Sequence, residues 1–110
     1  MTKPRSRRHL ASIEVEVSQP EGDSRDPARV VNLHEDGLLI EKEQVNCAPG
    51  DPIGIEFPAT KSRGRVMILG EVAWRDATHA GVRVNGMLPH HRARYDRLVT
   101  ALATSRTLLG

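Results

Sequence analysis

One cysteine, one phenylalanine, one tyrosine and one tryptophan are all that this 110-residue chain holds of those four types. A lone Cys47 excludes an intramolecular disulfide and a cysteine-based metal cluster. It suits a reducing compartment. Phe57, Trp74 and Tyr95 are too few for a run of stacking platforms along a nucleic acid, and the sequence between the basic ends is rich in acids. Nucleic acid is therefore not an expected partner. No apolar run approaches the roughly 20 residues that span a bilayer. The N-terminus is basic, but no apolar segment of the secretory type follows it. The expectation is a soluble, cytoplasmic chain without membrane insertion.

Catalytic and metal signatures are also scarce. The five histidines are scattered, with no acidic or cysteine partner at metal-like spacing. His90 and His91 adjoin but fall on different helical faces, and the histidines read as solvated surface residues. Glu35-Asp36 beside His34 lacks a second carboxylate at a catalytic spacing. Cys47 has no motif around it. No enzyme, no metal and no cofactor is expected.

What is present is alternation. In "SIEVEV" (12–17), Ile13, Val15 and Val17 share one face and Glu14 and Glu16 the other, the pattern of a half-buried antiparallel strand. "SQPEGDSRDP" (18–27) is a polar loop. "ARVVNLHE" (28–35) is a second strand with Val31 and Leu33 as its core face, and Asp36-Gly37 turns it, with Gly37 free to take positive φ. "LLIEKE" (38–43) returns, and "NCAPGD" (46–51) is a loop with a Pro-Gly turn. "PIGIEFP" (52–58) directs Ile53, Ile55 and Phe57 inward. "RVMILGEVAWRD" (65–76) places Val66, Ile68, Val72 and Trp74 in one parity, with Gly70 at a bend or bulge. "AGVRVNG" (80–86) directs Val82 and Val84 inward and Arg83 outward. Short strands between frequent turns predict a small barrel or sandwich.

The last segment changes period. Tyr95, Leu98, Val99 and Leu102 recur at helical spacing after Pro89, which predicts a helix over about 89–106 that packs this stripe on the barrel and seals one opening. Arg92, Arg94 and Arg97 fall away from the stripe. Residues 1–10 form a basic tail and 11–110 one domain.

Two constellations suggest binding. Lys3, Arg5, Arg7 and Arg8 crowd the tail, and guanidinium groups take phosphate or the O6/N7 edge of guanine. Asn32 and His34 stand two apart, on the face opposite Leu33, where an amide and an imidazole offer donors and acceptors to a nucleobase. Gly37 allows close approach. The same residues also fit plainer readings: a solvated tail and the polar outer face of a strand.

"VNLHEDGLLIE" resembles the second half of the PilZ domain signature, Asp/Asn-x-Ser-x-x-Gly, with Asn32 first, Gly37 last and His34 where serine is usual. "KPRSRRHLASIEVEV" occupies the place of the first half, Arg-x-x-x-Arg, although no two arginines here stand four apart. Arg5 pairs with His9, Lys3 with Arg7 and Pro4 with Arg8; counting back from the strand favours Arg8 or His9 as the second position. "GEVAWRDATHAGVRV" is similar to the family's penultimate hairpin. The resemblance implies an all-β fold: a six-stranded antiparallel β-barrel with a C-terminal α-helix. It also implies a receptor for cyclic di-GMP, held by Arg5, Arg7, Arg8 and His9 of the tail and by Asn32, His34 and Gly37 of the barrel. Such a receptor would signal to an effector protein in trans. The alternative is a relative that does not bind nucleotide and acts as an adaptor in motility or pilus machinery.

Overall fold

Alternating strands need a closed sheet to hide both their apolar face and their edges. In the computed structural model, residues 9–18, 25–43, 45–61 and 64–109 are described. They contain six strands, β1 (His9–Ser18), β2 (Arg25–His34), β3 (Gly37–Glu41), β4 (Pro52–Phe57), β5 (Val66–Arg75) and β6 (His79–Gly86), followed by helix α1 (Pro89–Leu109). The strands close into a barrel in the order β1-β2-β3-β6-β5-β4. Two meanders, β1-β2-β3 and β4-β5-β6, are joined by antiparallel pairing of β1 with β4 and of β3 with β6. The fold is the expected six-stranded antiparallel barrel with a C-terminal helix.

The barrel is filled by one face of each strand. Val15, Val17, Val30, Leu33, Ile40, Ile55, Phe57, Val66, Ile68 and Val72 are buried, and Ile13 and Val84 pack against them. Burying a side chain of this size contributes roughly 1.5–3 kcal/mol, which makes this layer the main stabilising term.

The β2 core face differs from the simple alternation. Ala28, Val30 and Leu33 are buried while Val31 is only half-buried. A register shift lies between Val30 and Asn32, so Val31 is the extra residue of a β-bulge against β3. The bulge reverses parity, and Val30 rather than Val31 joins Leu33 inside. At Gly70 a register shift occurs as expected, but the extra residue is Asn85 on β6, so β5 keeps its parity from Val66 to Val72.

Both barrel ends are plugged. At one, the loop after β3 folds inward, burying Val45 and Cys47. It is tied by Val45 N–H to the Ala77 carbonyl (3.1 Å) and Gly50 N–H to the Val72 carbonyl (2.7 Å). Gly50, at φ 93°, is the residue of the Pro-Gly turn that needs the left-handed region. Burial raises the Cys47 thiol pKa.

At the other end lies α1, packed on β5 and β1. Tyr95 is fully buried and meets Phe57 edge-on, ring centroids 6.3 Å apart. Leu98 and Val99 pack beside it as the stripe requires; the side chain of Leu102 lies outside the described residues. Burial raises the Tyr95 phenol pKa well above its ordinary value.

The helix also completes the sheet, which corrects the expectation that its polar residues face away. β5 runs past the end of β6, whose pairing starts at Leu69–Gly86. Beyond that point α1 supplies partners. His91 Nδ1 accepts the Met67 N–H (3.2 Å), and Arg94 donates to the Arg65 carbonyl (2.8 Å). His91 is therefore buried, at 8% exposure, rather than solvated, and its ring centroid lies 4.2 Å from that of His90. Desolvation, then the charge of His90, holds its pKa below the usual imidazole value. Arg92 lies 6.0 Å from the Tyr95 ring centroid, while Arg97 stays exposed.

Candidate functional site

Strand pairing brings distant residues into two adjacent rungs across β2, β3, β6 and β5. In the first, Asn32 pairs with Leu39, Leu39 with Gly81, and Gly81 with Trp74. In the second, His34 pairs with Gly37, Gly37 with Arg83, and Arg83 with Glu71. These rungs frame a pocket of about 300 Å³ whose lining includes Asn32, His34, Gly37, Trp74, Gly81 and Arg83. A glycine stands inside each rung, Gly81 beside Leu39 in the first and Gly37 beside Arg83 in the second, which leaves room for ring side chains to lie close to the sheet.

Two bulges aim the walls. The extra Val31 turns Asn32 and His34 outward while Leu33 enters the core. On β5, the register shift between Val72 and Trp74 makes Ala73 the extra residue. Simple alternation would put Trp74 in the core with Val72. The bulge instead turns it outward, where it is 47% exposed. The indole lies over Gly81, occupying the space that a Cβ there would need.

Gly37 is required for close approach, as expected, and not for a positive φ. Its φ is not positive, since Gly50 is the only described residue with that conformation. A Cβ at Gly37 would stand 2.6 Å from the Val82 carbonyl oxygen and 3.4 Å from His34 Cε1. The glycine thus lets β3 lie close to β6 and gives the His34 ring its seat. His34 Nδ1 accepts the Asp36 N–H (3.3 Å), which puts the proton of the neutral ring on Nε2. The turn is fixed from below: the Tyr95 hydroxyl donates to the His34 carbonyl (2.6 Å), and the Gly37 carbonyl lies 3.4 Å away. On the β6 side, the Val84 N–H donates to the Asp36 carbonyl (2.9 Å).

A rigid polar wall, an indole and the room left by the two glycines can accept one flat heterocycle. A model of the PilZ domain matches residues 2–101. The chain belongs to the PilZ domain family. Among solved structures it is similar to the PilZ domain of CeSA from a cellulose-synthesizing bacterium, with a TM-score of 0.72 and 16% identity over 89% of this chain and 99% of that one. At that identity the likeness concerns the fold. No curated protein is a significant match.

Within this PilZ barrel, Asn32, His34 and Gly37 come together as the spacing implied. His9 opens β1 opposite Leu33, beside the same turn. Arg5, Arg7 and Arg8 lie outside the described residues. The alternation placed Arg83 outward but gave no reason to assign it to a site. Trp74 escaped because its parity pointed inward. Gly81, a glycine between apolar strand residues, was the available signal that a large group covers the outer face. Among the described residues, no group of three or more His, Cys, Asp or Glu is arranged to hold a metal, and no helix is long and apolar enough to cross a membrane.

Proposed function

We propose that this PilZ domain is a cytoplasmic receptor for cyclic di-GMP that performs no chemistry of its own and signals to an effector protein in trans. The observation that carries the reading is the convergence of Asn32, His34 and Gly37 with Trp74 on one pocket. The PilZ domain is known as a cyclic di-GMP receptor domain. Asn32 offers both a donor and an acceptor to a base edge, His34 offers a ring N–H, and Trp74 offers a stacking face. Stacking of a base on an aromatic ring contributes roughly 1–3 kcal/mol. The tail bearing Arg5, Arg7 and Arg8 precedes His9, and His9 pairs beside the His34 turn. Those guanidinium groups take the phosphates or a guanine edge, and the tail held over the ligand presents a new surface to the effector.

A second reading has a specific observation behind it. His34 replaces the usual serine and no two arginines of the tail stand four apart. An adaptor that binds proteins without nucleotide would carry such departures. Calorimetric titration with cyclic di-GMP, with GTP as control, separates the two. Trp74 is the sole tryptophan, so its emission gives an independent binding signal. Heat with a change in emission supports the receptor. No heat and no thermal stabilisation at high micromolar ligand leaves the adaptor.

A further inference from the structure

Resting on the receptor reading, we infer that Arg83 is a ligand-binding residue, supplying from the barrel wall a guanidinium that holds the nucleotide's phosphate. Most of the described arginines are engaged elsewhere. Arg25 bridges Glu56 at 2.6 Å, Arg29 lies 3.7 Å from Glu14, Arg65 is 3.5 Å from Glu56, and Arg92 is 3.4 Å from Asp96. Arg94 donates to the Arg65 carbonyl. Arg83 is exposed, lines the pocket and has no ion pair among the described residues.

Its backbone is held firmly. Val82 is buried and Val84 packs against the core on either side of it, and the Val84 N–H is bonded to the Asp36 carbonyl. Gly37 separates Arg83 from His34 within one rung. Two strand spacings, about 10 Å between Cα atoms, therefore separate the two walls, and Gly37 between them has no side chain of its own. A phosphate held between the His34 ring, seated on Gly37, and Arg83 meets the imidazole from one side and the guanidinium from the other. A guanidinium carried on a strand needs no ordering of the chain before it binds. This gives the barrel an anion contact of its own, in a sequence whose tail lacks the paired arginines of the family signature.

The test is calorimetric titration of cyclic di-GMP into wild type, Arg83→Ala, Arg83→Lys and Arg29→Ala. Arg29 carries the same charge but lines no part of this pocket, so its variant controls for net charge. Arg83→Ala is expected to weaken binding at least tenfold at an unchanged melting temperature, with Arg83→Lys intermediate and Arg29→Ala within twofold of wild type. Wild-type binding with Arg83→Ala within threefold of it overturns the inference and spares the receptor reading. Equal losses in Arg83→Ala and Arg29→Ala overturn it as well, because net charge then accounts for the effect. No binding by wild type overturns both.

Discussion

Replacing Tyr95 by phenylalanine removes one oxygen and leaves the buried ring in place. That oxygen donates to the His34 carbonyl at 2.6 Å and lies 3.4 Å from the Gly37 carbonyl. A typical hydrogen bond contributes about 0.5–1.5 kcal/mol net, and depriving a buried polar group of its partner costs about 1–3 kcal/mol. Tyr95→Phe is therefore expected to destabilise by about 2 kcal/mol. For a domain near 100 residues this lowers the melting temperature by roughly 8–12 °C. Tyr95→Ala, which also empties the ring's space against Phe57, should cost about 3–5 kcal/mol. Thermal melts followed by circular dichroism and by Trp74 emission measure both. A Tyr95→Phe variant melting within 2 °C of wild type, beside a badly destabilised Tyr95→Ala, refutes the reasoning, for the ring would then do all the holding.

Alkali gives the same bond a second test. Burial raises the Tyr95 pKa in the fold above that of the unfolded chain, which is about 10. Its contribution is intact below that value and is lost as pH climbs through the folded pKa. Tyr95 is the only tyrosine, so tyrosinate absorbance should appear together with unfolding and not before it.

Three further outcomes are expected. Gly37→Ala puts a Cβ 2.6 Å from a backbone oxygen that cannot swing aside; it should lower stability by about 1–3 kcal/mol in urea titrations and weaken ligand binding by displacing the His34 ring. His91 accepts a backbone N–H and has a depressed pKa, with His90, Arg94 and Arg65 opposing its charge. The unfolded imidazole binds its proton first, so stability should be constant above about pH 6.5 and fall below it; urea midpoints for His91→Asn, which keeps an acceptor without titrating, should decline less with acid. Cys47, buried and with a raised pKa, should react with a thiol reagent only as fast as the barrel opens, and urea should accelerate that reaction before the main transition.

Much of this molecule was legible because two local periods are written into it. Alternation around Val15, Ile55, Ile68 and Val82 set inward and outward faces residue by residue. The Tyr95-Leu98-Val99 spacing marked the helix face that closes the barrel. The signature spacing of Asn32, His34 and Gly37 pointed to one polar wall of the pocket. None of these needs a partner strand to be read.

The other wall needed the tertiary structure. A bulge is an agreement between two strands about which residue goes unpaired, and one strand's sequence does not state it. Val31 and Ala73 each reverse the parity of the strand residues after them, and for that reason Trp74 faces the pocket instead of the core. Closure through β3 and β6 then sets Trp74 and Arg83 opposite Asn32 and His34, residues more than forty positions away in the chain. His91 looked like a surface histidine because the unmet N–H it satisfies exists only where β5 outruns β6. The sequence by itself determined the strands, the helix and one wall of the pocket, since those arise from local pattern. Pairing between distant strands decided the rest, because register, bulges and edges are properties of neighbours rather than of any one segment.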